Sequence, residues 1–152
     1  MSPLPDDPSV AAVRVVAMNM LARREHGARE LCAKLEAKDI SRQCAAEVVA
    51  ELSREGLQSD QRFVDAWVRS RISKGKGPMV VRAELAQRGV DDGLVEQGLQ
   101  QSETDWAALA GEVRRRKYGE AVPEAFEQRA KQSQFLQRRG FTSGQIREAM
   151  KG

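Results

Sequence analysis

An all-α fold, three tandem three-helix bundles making about nine helices in an elongated, curved array, is what the sequence predicts, and three observations carry it. First, one short pattern occurs three times, about fifty residues apart: Lys34-Leu35-Glu36-Ala37-Lys38-Asp39-Ile40, Glu84-Leu85-Ala86-Gln87-Arg88-Gly89-Val90 and Phe135-Leu136-Gln137-Arg138-Arg139-Gly140-Phe141. In each, a Leu is followed three residues later by Lys or Arg, then by Gly or Asp, then by an apolar residue. The likeness runs on to Ala45, Val95 and Ile146, and again to Val49, Leu99 and Met150, as expected of a tandem array of one supersecondary unit. Second, 41% hydrophobic residues with only 5% aromatics argue for a folded chain without a sheet-rich core. Third, apolar residues recur three and four apart, the period of a helix face. Divided three ways, 152 residues leave units too small to be stable alone, so each must lean on its neighbour.

Residues 1–8, rich in Pro and Asp, are expected to form a disordered tail. The first unit, 9–57, opens with a helix carrying Val10, Val13, Ala17 and Met20 or Leu21 to near Gly27. A second helix runs from about Ala28 to Lys38 with Leu31, Cys32 and Leu35 inward. Ser41 then caps a third, carrying Ala45, Val48, Val49 and Leu52 and ending before Gly56. The second unit, 58–101, opens with Phe63, Val64, Trp67 and Val68 and breaks at Gly75-Lys76-Gly77-Pro78. Pro78 is suited to the first position of a new helix, where its missing N–H has no intrahelical partner to lose. That helix ends near Arg88-Gly89, and Asp91 or Asp92 caps the next, with Leu94, Val95 and Leu99 inward. In the third unit, 102–152, Trp106, Leu109, Ala110 and Val113 lead to Tyr118-Gly119. After Pro123 a helix carries Phe126, Ala130 and Phe135 or Leu136, and Thr142 with Gln145 forms a capping box before Ile146, Ala149 and Met150.

Several functions find no machinery. His26 is the single histidine, Cys32 and Cys44 lack the spacing of a metal knuckle or redox pair, and no Ser or Cys has a His to spare as its base. No catalytic residue, metal or cofactor is therefore expected, and both cysteines read as small core residues. No apolar run is long enough to cross a bilayer, and the basic start and apolar core of a signal peptide are missing, so no membrane contact and a cytoplasmic location are expected. Gly75-Lys76-Gly77 lacks the length and Lys-Ser/Thr ending of a phosphate loop and reads as a turn. Phe63, Trp67 and Trp106 sit at core spacing rather than as base-stacking platforms, while for Tyr118, beside a basic run, packing and stacking weigh evenly.

The net charge of +3 hides a segregated pattern: residues 1–60, 61–83, 84–112 and 113–152 carry −2, +5, −6 and +6. Arg69, Arg71, Lys74, Lys76 and Arg82 lie in one acid-free stretch, and Arg114-Arg115-Arg116-Lys117 leads into Tyr118. Arg138 and Arg139 follow in the third copy of the repeat, and Arg23 and Arg24 close the first helix. Helix dipoles favour cations at C-termini and account for some of these, but not for the long acid-free stretches. These fourteen residues are the candidate contacts with an anionic partner, either a phosphate backbone or an acidic protein surface.

In its order of motifs the chain resembles the RecX family of bacterial regulatory proteins. The likeness runs through Leu21-Ala22-Arg23-Arg24-Glu25-His26, Glu30-Leu31, Lys34-Leu35, Phe63 to Arg71, Lys74-Gly75-Lys76-Gly77-Pro78, Glu84-Leu85 with Arg88-Gly89-Val90, Arg116-Lys117-Tyr118-Gly119 and Phe135 to Phe141. The resemblance implies a curved molecule lying in the groove of a RecA filament on single-stranded DNA, and a monomer is its simplest state. There it would hinder strand exchange, ATP hydrolysis and stimulated repressor cleavage, damping recombination and the SOS response, with weak direct binding to single- or double-stranded DNA besides. The chain departs from the family pattern at Lys76, where an aromatic residue or Arg is frequent, and in its apolar Met79-Val80-Val81. Two rivals come from other classes. A DNA-binding protein built of helix-turn-helix-like bundles would read bases through its third helices, yet these are mixed or acidic. An adaptor for an unrelated acidic protein differs only in its partner.

Overall fold

A computed structural model of the chain describes residues 8–151, so the expected tail at 1–8 lies almost wholly outside the described residues. Among those residues there are nine helices and no strand: α1 (Pro8–Arg23), α2 (Ala28–Glu36), α3 (Arg42–Arg54), α4 (Asp60–Ser73), α5 (Pro78–Gln87), α6 (Asp92–Gln101), α7 (Trp106–Tyr118), α8 (Phe126–Arg138) and α9 (Ser143–Ala149). They pack in threes around three apolar clusters, centred on Leu31, Leu35 and Leu52, on Phe63, Val64 and Leu85, and on Ala110, Leu136 and Phe141. Trp106 packs against the second and third clusters together.

The thrice-repeated pattern is a helix stop. Leu35, Leu85 and Leu136 are each fully buried, and each lends its carbonyl to the amide of the apolar residue five positions on, Ile40, Val90 and Phe141. Between them Asp39, Gly89 and Gly140 take left-handed φ values of 64°, 73° and 101°. That is the Schellman arrangement, which satisfies the last carbonyls of a helix and turns the chain back into its core. The expected caps form as well: Ser41 accepts from Cys44 N at 3.1 Å, Asp91 from Leu94 N at 3.3 Å, and Thr142 and Gln145 make the reciprocal box.

Some expectations shift. α1 stops at Arg23 rather than near Gly27, because His26 turns inward and Gly27 adopts the extended conformation that starts α2. α2 ends at Glu36, since Lys38-Asp39 is already the stop. Phe126, expected on the inner stripe of α8, is 83% exposed. One turn later, Arg129 already reaches the Met150 carbonyl at the end of the third bundle, so Phe126 lies past the last core layer. Cys44 is buried, while Cys32 lies half-buried at the edge of the first core, where burial pushes its thiol up.

Neither α2 nor α5 carries its own side-chain cap, and in each case the next bundle supplies acceptors for the helix start, a side chain for α2 and backbone carbonyls for α5. Asp60, at the start of α4, accepts from Ala28 N at 2.8 Å and from Gln58 Nε2 at 2.9 Å. At the other junction, Gly77 N donates to the Arg139 carbonyl (2.8 Å) and Met79 N to the Gly140 carbonyl (2.9 Å). Orphan N–H groups at the start of α5 thus meet orphan carbonyls at the end of α8. Gly89, just past α5, lies against Arg29 at the start of α2. The second helices of the bundles are thus joined end to start, α8 to α5 by backbone hydrogen bonds and α5 to α2 through the Arg29 side chain.

Candidate interaction surface

The fourteen candidate residues separate sharply. Arg114 is 2% exposed and is a correction: its guanidinium is folded into the third bundle, donating to the Glu120 carbonyl (2.9 Å), the Ala121 carbonyl (3.3 Å) and Gln132 Oε1 (3.3 Å). It ties the loop after α7 to α8 and presents nothing to a partner. Arg71 is also occupied, paired with Glu84 at 2.8 Å and lying over the Trp67 ring. Arg88 covers Trp67 too, 4.1 Å from its centroid, and pairs with Glu30 of the first bundle. Arg82 makes a two-armed pair with Glu96 at 2.5 and 3.1 Å. Two pairs, Arg71–Glu84 and Arg82–Glu96, thus join the basic block 61–83 to the acidic block 84–112, and part of their apparent segregation cancels in space.

Arg23, Arg69, Lys74, Arg116 and Arg138 are exposed, and Lys76 is half-buried; among the described residues none of them makes an ion pair. Arg115 has only Glu120, 4.0 Å away. Arg139 donates to the Lys74 carbonyl at 3.1 Å across the junction of the second and third bundles. Tyr118 is half-buried and meets Phe135 edge-on at 5.6 Å, so it is engaged in packing.

The structure gathers four of these cations in one place. Lys74, Arg116, Lys117 and Arg139 line a cleft of about 230 Å³ between the second and third bundles, floored by Gly75, Val113 and Phe135, and no carboxylate lines it. Lys117 and Arg139 lie over the Phe135 ring at 4.4 and 5.5 Å. Arg69, Arg82 and Arg138 do not line it. The Gly75–Pro78 turn beside it is clamped: Gly75 and Gly77 are buried, and Gly77 is hydrogen-bonded to the α8 terminus.

With that geometry in place, the chain can be compared with known proteins. Models of the first, second and third three-helix domains of RecX match residues 14–52, 59–99 and 103–150. The regulatory protein RecX of Halorhodospira halophila is 45% identical over 138 residues, covering 91% of this chain and 86% of that protein. That of Pseudomonas entomophila is 41% identical over the whole of this chain and 97% of its own length. The chain belongs to the RecX family. In fold it is similar to the crystal structure of RecX from Lactobacillus salivarius, with a TM-score of 0.78 at 22% identity over 93% of this chain and 94% of that one. Among the described residues, no helix is long and apolar enough to cross a membrane, and no three or more His, Cys, Asp or Glu side chains are grouped so as to hold a metal ion.

A second set of cations comes together only in the fold. Lys34 and Lys38, one turn apart on and just beyond α2, join Arg23 and Arg24 around a cleft beside α1. The buried His26 organises it. A lysine ammonium can only donate, so the 3.1 Å contact makes His26 Nε2 the acceptor from Lys34, and Nδ1–H donates to the Arg24 carbonyl at 3.0 Å. Burial holds the imidazole below the usual histidine range. The nearby charges of Arg24 and Lys34 push the same way, opposed by the Arg24 carbonyl and Glu30. The unfolded chain therefore binds this proton at a higher pH than the folded one, so stability is complete above about pH 6.5 and declines as pH falls below it. Urea midpoints of the parent are expected to drop from about pH 7.5 to about pH 5.5 more than those of His26→Gln. Parallel profiles for the two proteins would locate the acid sensitivity elsewhere.

Proposed function

We propose that this chain is a negative regulator of the RecA recombinase. It occupies the filament on single-stranded DNA as a monomer and thereby inhibits strand exchange, ATP hydrolysis and co-protease activity. Family membership along the whole chain supports a regulatory role. The observation that carries the binding mode is the acid-free cleft of Lys74, Arg116, Lys117 and Arg139, which sits where two bundles meet. Four cations held by two rigid units can pair with carboxylates or phosphates of a polymer without any chemistry being performed. Contact with more than one protomer at once would bias the filament toward the state that fits.

Co-sedimentation with RecA on single-stranded DNA across a salt series tests this reading. The double variant Arg116→Glu/Lys117→Glu is expected to keep parental helicity and to lose about tenfold or more in filament affinity at low salt, with a flatter salt dependence. Parental affinity in the variant would remove the cleft from the interface. Failure of the parent to slow strand exchange would remove RecA as the target. The base-reading alternative is disfavoured by α6, whose ten residues, Asp92–Gln101, include no cation to place on a phosphate or guanine.

A further inference from the structure

The cleft between α1 and α2 has about 600 Å³ of room and is lined by Arg23, Arg24, Lys34 and Lys38, with no carboxylate among its lining residues. We propose that it is a binding site for linked phosphate groups, and that it works in the isolated chain without any recombinase. Its cations are placed rather than merely crowded. Lys34 is held by the Nε2 of an imidazole that is 2% exposed, and Arg24 is braced from outside the cleft by two hydrogen bonds to Glu30 at 3.0 and 2.9 Å. Arg23 and Lys38 are exposed and make no ion pair among the described residues.

Helix C-termini alone do not account for this charge. The ends of α1 and α2 supply about half a negative charge each, and Glu30 supplies one more, which leaves roughly two of the four positive charges uncompensated. Their mutual repulsion is relieved when an anion of matching charge enters. A single carboxylate would neutralise only part of the excess and fill little of the space. Linked phosphates carry a charge on every group and offer oxygens to both the arginine forks and the lysine ammoniums. Val16 and Met20 give the cleft an apolar side. The shared chemistry is a run of phosphates, supplied either by a nucleic-acid backbone or by a free polyphosphate chain.

His26, the single histidine of the chain, serves as the reporter. An anion beside Lys34 reduces the positive potential at the imidazole, so its NMR titration midpoint is expected to rise by about half a unit or more when tripolyphosphate is added. The thermal midpoint is expected to rise with it. An oligo-dT arm separates the sources: a shift with the oligonucleotide assigns the site to a nucleic-acid backbone, and a shift with tripolyphosphate alone assigns it to free phosphate chains. The variant Arg23→Glu/Lys38→Glu, which alters only exposed side chains, should abolish the response while leaving the spectrum of the core unchanged. Three results would overturn the proposal: an equal shift in sodium chloride of matched ionic strength, a shift with poly-glutamate but not with phosphate, or a variant that responds as the parent does.

Discussion

Replacing Arg114 by glutamate is expected to unfold the third bundle, with a loss of about 3–5 kcal/mol, a large part of the stability of a domain this size. The guanidinium is 2% exposed and is held by two backbone carbonyls and the Gln132 amide oxygen, with no carboxylate against it. A carboxylate in the same place would face only acceptors, while the carbonyls of Glu120 and Ala121 lost their donors. Arg114→Met isolates the second effect, because it keeps the apolar stem and orphans the carbonyls at about 1–3 kcal/mol. Urea unfolding followed by circular dichroism measures both. The neighbouring pair Arg116→Glu/Lys117→Glu serves as the contrast, since it should change binding at a cost of only about 1–2 kcal/mol, from the Phe135 contact and the end of the α7 dipole. A stable Arg114→Glu protein would mean that this side chain can reach solvent, and the contact role expected from the basic run would return.

Gly77→Val should open the junction between the second and third bundles, at about 2–4 kcal/mol. A Cβ at Gly77 would collide with the Gly140 backbone and come within 2.6 Å of Phe141 N, so neither side can yield by turning a flexible side chain. The two backbone hydrogen bonds that start α5 on the end of α8 would be lost with it. Hydrogen exchange at the Met79 amide should accelerate strongly, while amides within α4 keep their protection, and thermal unfolding should broaden or split as the third bundle uncouples. Undiminished protection of the Met79 amide would show that the junction does not depend on this close approach.

Much of the fold was legible because its punctuation is local. A Schellman stop involves six consecutive residues, and the caps at Ser41, Asp91 and Thr142 reach only three positions ahead, so the stretches around Leu35, Leu85 and Leu136 carry their own instructions. Apolar spacing placed Val48, Val64 and Leu99 in their cores for the same reason. Phe126 was misread because spacing reports which side of a helix a residue faces, and not where the neighbouring helices end.

The interaction surface was far less legible. Whether an arginine is free depends on residues well removed in sequence: Glu84 lies 13 positions from Arg71, Glu96 lies 14 from Arg82, and Gln132 lies 18 from Arg114. Counting charge along the chain therefore overstated the basic block of the second unit, and it missed Lys34 and Lys38, which matter only once α1 lies beside them.

By itself, the sequence determined the helical repeat, its stops and its family, since hydrogen bonds and apolar periods within a few residues specify them. Tertiary packing alone decided which cations are consumed inside the molecule, which converge on open clefts, and how one bundle caps the helix of another. Coulombic and backbone contacts of that kind act through distance in space, and the chain brings their partners together only after the bundles have docked.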